Sequence, residues 1–130
     1  MTLESDFSKK VVSFLESVGA VVNVNTATIF DRVGRSDLEA CYRGYYIALE
    51  LKTGNYQPEP LQISYLQKIR DAGGYALLLR DNLNDVQDLI WHLHDLENGR
   101  VYPYAYEQPE LPDITEDKLE VYYDWRMERH

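Results

Sequence analysis

Apolar positions early in the chain recur at helical spacing. Phe7, Val11, Phe14, Leu15 and Val18 fall on one face, Lys9, Lys10, Ser13, Glu16 and Ser17 on the other, and Gly19 follows as a stop. The spacing predicts a helix over 3–18. "AVVNVNT" (20–26) alternates and predicts a strand, whereas "IFDRVGRS" (29–36) holds a glycine and three charges and predicts a loop. Residues 37–43 and 45–52 alternate again, as two strands turning near Gly44. "TGNYQPEP" is punctuated by Gly54, Pro58 and Pro60 and reads as a loop, and 61–71 as a helix stopped by Gly73 and Gly74. "YALLLR" (75–80) is a continuous apolar run, as expected of a strand covered on both faces. In 84–97, Val86, Leu89, Ile90 and Leu93 share a helix face, with Gly99 as the stop. The order is helix, three strands, helix, strand, helix. A four-stranded sheet with helices packed on it is its natural solution.

Composition changes this picture in a few places. At 130 residues and 45% hydrophobic, the chain is one domain with a packed core. It has no apolar run of about 18 residues. "MTLESDFSKK" lacks the basic-then-apolar order of a signal peptide. An intracellular protein with no membrane span is expected. Cys41, the only cysteine, sits in a strand pattern and is expected to be a small buried hydrophobe.

The net charge of −9 argues against a nucleic-acid partner until its distribution is considered. Residues 1–80 carry nine basic and nine acidic side chains, and residues 81–130 four basic and thirteen acidic. The excess is C-terminal and reads as a solvated surface. The first eighty residues could meet DNA if bound metal neutralised some of their acids. Residues 100–130 hold five of the eleven tyrosines and eight acids, too aromatic for a disordered tail. They are expected to form an extension of a 1–99 core, packed on it or at a dimer interface.

Strand periodicity places Tyr45, Ile47, Leu49 and Leu51 on one face of 45–52, and Tyr46, Ala48, Glu50 and Lys52 on the other. A carboxylate beside an alanine on a central strand is costly unless paired. Lys52 is one possible partner, and a plain same-face ion pair is the structural alternative. A hairpin pivoting at Gly44 would bring Asp37 to the same sheet edge as residues 50–52. Glu4 begins the inward stripe of the first helix (4, 7, 8, 11, 14, 15, 18), and Gln62 begins that of the second (62, 65, 66, 69). A helix-terminal Glu4 also complements the helix dipole. Clustered carboxylates with a lysine suit Mg²⁺ or Mn²⁺, hard cations that keep waters and bind phosphate.

"SDLEACYRGYYIALELKTG" resembles the core of the PD-(D/E)XK nuclease superfamily: an aspartate, a hairpin, then Glu-x-Lys. "GRSDLEA", "IALELKTG" and "LQISYLQKIRDAGGYALLL" resemble its VRR-NUC branch and, more distantly, archaeal Holliday-junction resolvases. The resemblance covers residues 3–80. It implies an α/β fold, a central mixed four-stranded sheet flanked by helices (the αβββαβ restriction-endonuclease-like core), plus the C-terminal extension. It implies Asp37 and Glu50 as metal ligands, the Leu51 carbonyl as a third, Lys52 as the catalytic lysine, Glu4 supporting metal or water, and Gln62 near the metal or scissile phosphate. Ser36 stands where the motif has proline.

The activity implied is Mg²⁺- or Mn²⁺-dependent hydrolysis of DNA phosphodiesters. Branched DNA such as four-way junctions is the implied substrate, cut by a homodimer. Arg32 and Arg35 are candidate phosphate contacts, with solvated charge the equal alternative. His92 and His94, two apart on a helix, face apart and form no metal pair. A restriction or nicking endonuclease on linear DNA, or a non-catalytic binding module on the same fold, are the competing readings.

Overall fold

The computed structural model describes residues 3–25, 36–99 and 106–114. Its elements are α1 (Leu3–Ser17), β1 (Val21–Val24), β2 (Leu38–Tyr42), β3 (Tyr45–Lys52), α2 (Pro60–Asp71), β4 (Tyr75–Arg80) and α3 (Asn84–Glu97). The strands form one sheet in the order β1-β2-β3-β4. The β1–β2 and β2–β3 pairs are antiparallel, and β3–β4 is parallel. The fold is therefore α/β with a mixed four-stranded sheet, as the resemblance implied.

The β2–β3 hairpin closes through Arg43 and Gly44, both at positive φ (52° and 86°), between the paired Tyr42 and Tyr45. Two left-handed residues in a two-residue loop match the twist of the flanking strands, which explains a glycine there. β1 is shorter than the alternation of 20–26 suggested. The Ala20 N–H is tied back to Leu15 at the end of α1, so the strand starts one residue later.

One sheet face carries the main core. Val11 and Leu15 of α1, Leu38 of β2, Ile47 and Leu49 of β3, and Val86, Leu89 and Leu93 of α3 are all fully buried. Truncating any of the leucines would cost about 2–5 kcal/mol. On the other face α2 sets Leu66 against Ala48 of β3 and Ala76 of β4, with Ile69, Leu78 and Leu111 around them. Close packing is enforced at Gly74, where an added Cβ would stand 2.9 Å from Ile69 Cγ2. With β2 and β4 on either side and helices on both faces, β3 is buried from Ile47 to Leu51.

Cys41 corrects the sequence expectation: it is exposed. Leu38, Ala40 and Tyr42 take the core phase of β2, which turns Glu39 and Cys41 to the opposite face. There the packed cluster is built on β3 and β4, so Cys41 has no apolar layer above it.

Part of the C-terminal extension packs on this core. The Gln108 side chain accepts from the Ala76 N–H at 2.8 Å, satisfying a β4 donor. Tyr106 stacks on His92 of α3 with ring centroids 4.4 Å apart. Residues 100–105 and 115–130, including Tyr102, Tyr104, Tyr122 and Tyr123, lie outside the described residues.

Candidate active site

Glu50 projects from the most buried strand and is itself completely buried. Cross-strand pairing sets it beside Leu78 of β4. Neither of its carboxyl oxygens accepts a hydrogen bond from a protein donor, and in its protonated form the carboxyl has the adjacent Asp37 as its hydrogen-bond neighbour. Lys52 Nζ stands 3.6 Å from Glu50 Oε1, outside good hydrogen-bond distance but near enough for charge attraction. Burial above all, and then the adjacent Asp37, push the Glu50 carboxyl up to about 9, with Lys52 only partly offsetting them. At neutral pH the isolated protein therefore holds Glu50 protonated.

Asp37 arrives as the hairpin geometry required. It immediately precedes β2, whose Leu38 pairs with Leu49. One of its oxygens, Oδ2, accepts a hydrogen bond from the Leu51 N–H at 2.9 Å. The bond holds Asp37 over the Glu50–Leu51 peptide. Ser36, at the motif's proline position, is buried, and its hydroxyl donates to the Leu38 carbonyl at 3.1 Å.

The strand exit beyond Lys52 is also held. The Asp81 N–H donates to the Lys52 carbonyl at 3.2 Å, and the Gly54 N–H donates to Asp81 Oδ2 at 2.9 Å. Arg80 Nη1 donates to the Gly54 carbonyl at 2.7 Å. Asp81 takes a positive φ of 59° to do this, a conformation in which aspartate is enriched. Its carboxylate thus stitches a loop.

The structure brings together Asp37, Glu50, Leu51 and Lys52. Gln62 has a role that sequence reading did not assign. Its Oε1 accepts from the Glu59 N–H at 2.8 Å, one half of a capping box at the start of α2. Glu4 lies in the first turn of α1, and its side chain is outside the described residues, as are Arg32 and Arg35. Further along the same face of β3, the Tyr46 phenol is kept neutral by burial and by its neighbours Tyr65 and Glu39.

The donor set fits a hard divalent cation. Two neighbouring carboxylates repel each other, and the buried one has two oxygens with no protein donor to satisfy them. A cation would relieve both costs. Among the described residues, no group of three or more His, Cys, Asp or Glu side chains forms a metal cluster. Two carboxylates supplemented by a backbone carbonyl and water are typical of Mg²⁺, which keeps several waters.

The sequence matches no family model and no curated protein. Nine solved chains match the structure. One, described as a "VRR_NUC domain", aligns with a TM-score of 0.58 and 26% identity, over 71% of this chain and 98% of its own length. No helix among the described residues is long and apolar enough to cross a membrane. The helix-flanked mixed sheet, the Asp37–Glu50–Lys52 arrangement and this likeness agree: the chain has a VRR-NUC-like nuclease fold, consistent with membership of the PD-(D/E)XK superfamily.

Proposed function

We propose that the protein is a Mg²⁺- or Mn²⁺-dependent endodeoxyribonuclease acting on branched DNA such as four-way junctions. The observation that carries the reading is Glu50. A fully buried carboxyl whose oxygens receive no protein donor, set against a second acid, works against folding. Its retention beside Asp37 is explained by a cation that the two acids hold together.

Asp37, Glu50 and the Leu51 carbonyl are the proposed ligands, with Glu4 supporting metal or water. When bound, the metal would acidify a water and stabilise charge on a phosphoryl oxygen. Lys52, the counter-charge 3.6 Å from Glu50 in the isolated protein, would orient the attacking water or neutralise the phosphate. Gln62, its amide oxygen held by the α2 cap, would offer its NH₂ group to the scissile phosphate. Arg32 and Arg35 are proposed backbone contacts.

Resolving a junction takes two symmetric incisions, and one domain of this size holds one site. Two-fold pairing supplies both. Residues 1–99 are the proposed nuclease core, and 100–130 the extension that covers the core or completes the dimer interface. Strand-labelled four-way, flap and linear DNA incubated with Mg²⁺ or Mn²⁺ tests this reading. Symmetric, metal-dependent nicks in the junction are expected. Equal cutting of linear duplex would leave a general or restriction-type nuclease, and no cutting of any substrate would favour a non-catalytic binding module.

A further inference from the structure

Asn25, the residue after β1, sits in a dense set of directional bonds. Its backbone N–H donates to the Asp37 carbonyl at 2.9 Å. Its side-chain Nδ2 donates to the Ser36 carbonyl at 2.8 Å. The same nitrogen reaches Glu39 Oε1 at 3.3 Å. Asn23 Nδ2 donates to Asn25 Oδ1 at 3.0 Å. The Ser36 carbonyl can only accept, so it fixes which end of the Asn25 amide carries the donors, and the bond from Asn23 supports that orientation.

One residue therefore grips the carbonyls on both sides of the Cα of Asp37. We propose that Asn25 is a positioning residue, which clamps the backbone at Asp37 so that its carboxylate stays over the Leu51 peptide and is presented for cation binding. Asp37 has no regular strand partner of its own: β2 begins one residue later, at Leu38. Without the clamp, the backbone on its N-terminal side would be held by buried Ser36 alone, through the hydroxyl bond to the Leu38 carbonyl. The carboxylate would then leave the Leu51 N–H that it accepts from at 2.9 Å.

Alanine would remove the side-chain half of the clamp and leave the backbone half. No other residue type of similar size offers two donors and an acceptor on one planar group. Outer groups that orient a metal ligand typically change metal affinity by about 10–100-fold when removed. The cation part of the proposal rests on the nuclease reading; the clamp on Asp37 does not.

The test separates the two. Amide hydrogen exchange would be followed at Leu51, with Ile47 in the same strand as the internal reference, in the wild type and in Asn25→Ala. Leu51 exchange should quicken by about tenfold or more while Ile47 holds, because of these two amides it is the Leu51 N–H that donates to the Asp37 carboxylate. Calorimetric titration with Mn²⁺ should show about tenfold weaker binding. If Asn25→Ala is too unstable, Asn23→Ala, which only frees the Asn25 amide to turn, should move both readouts the same way by less. Unchanged Leu51 protection in a folded variant, or unchanged Mn²⁺ affinity where the wild type binds, would overturn the proposal. A wild type that takes up no Mn²⁺ would overturn the metal reading instead and with it the cation role of Asn25, while the Leu51 amide still decides the clamp.

Discussion

Lys52 Nζ lies 3.6 Å from Glu50 Oε1, yet Glu50 remains a carboxyl that burial holds in its neutral form. The lysine is too far for a short charge-assisted bond and close enough to respond when Glu50 takes on charge. On the proposed reading, the cation is the positive partner, stronger than Lys52, that lets Glu50 take on its charge.

Glu50→Gln should stabilise the metal-free protein at pH 7–9 and flatten its pH dependence. The carboxyl is raised from 4.5 to about 9, so between those values the folded chain holds a proton that the unfolded chain has lost. Its contribution is full below 4.5, falls as pH rises through that window and is lost above about 9. Urea midpoints across pH 4–9 check this, and a Glu50→Met variant should gain about 1–3 kcal/mol at neutral pH by removing two oxygens that receive no protein donor.

Asp37→Ala should leave the chain folded and abolish metal-dependent cleavage. The acid precedes β2, and its side chain accepts from the Leu51 amide and neighbours Glu50 without filling the apolar core. Far-UV circular dichroism should be unchanged, and cleavage of labelled DNA should fall to background.

Lys52→Ala should bind Mn²⁺ as the wild type does but turn over about a hundredfold or more slowly, equivalent to roughly 2.7 kcal/mol. Single-turnover rates at saturating metal measure the loss. Normal rates would make Lys52 only the counter-charge of Glu50.

Gln108→Ala should lower stability by about 1 kcal/mol, because it strips the acceptor from the Ala76 N–H. Chemical denaturation measures it. A neutral result would mean that water replaces the glutamine at this strand.

Light scattering should report a dimer at micromolar concentration. A monomer that still cuts junctions on both strands would separate the activity from two-fold pairing.

Much of the site is legible in the chain because it rests on local geometry. Strand periodicity alone puts Glu50 with Lys52 and opposes both to Leu49 and Leu51, and the two-residue turn at Gly44 returns Asp37 to them. The hidden parts depend on tertiary contacts. Cys41 is exposed because the cluster under α2 is built on β3 and β4, a coverage that no strand period reveals. Gln62 is anomalous on an apolar stripe because it closes a capping box with Glu59, and a glutamate in place of the usual Ser or Thr at the N-cap hides that box from the sequence. Asn25 gave only the weak signal of an asparagine at a strand end. Its partners lie 11 and 14 positions away. Arg80 and Asp81 read as an ordinary strand end followed by a turn, and nothing local shows that they hold the loop after Lys52.

The most direct measurement is calorimetric titration of the wild type and Glu50→Gln with Mn²⁺ at pH 7, repeated in buffers of different ionisation enthalpy. If Glu50 is a ligand, its proton must leave as the cation enters. The wild type should then bind Mn²⁺ and release about one proton, and Glu50→Gln should bind far more weakly and release none. Equal affinity in the two proteins, or binding without proton release, would contradict the account.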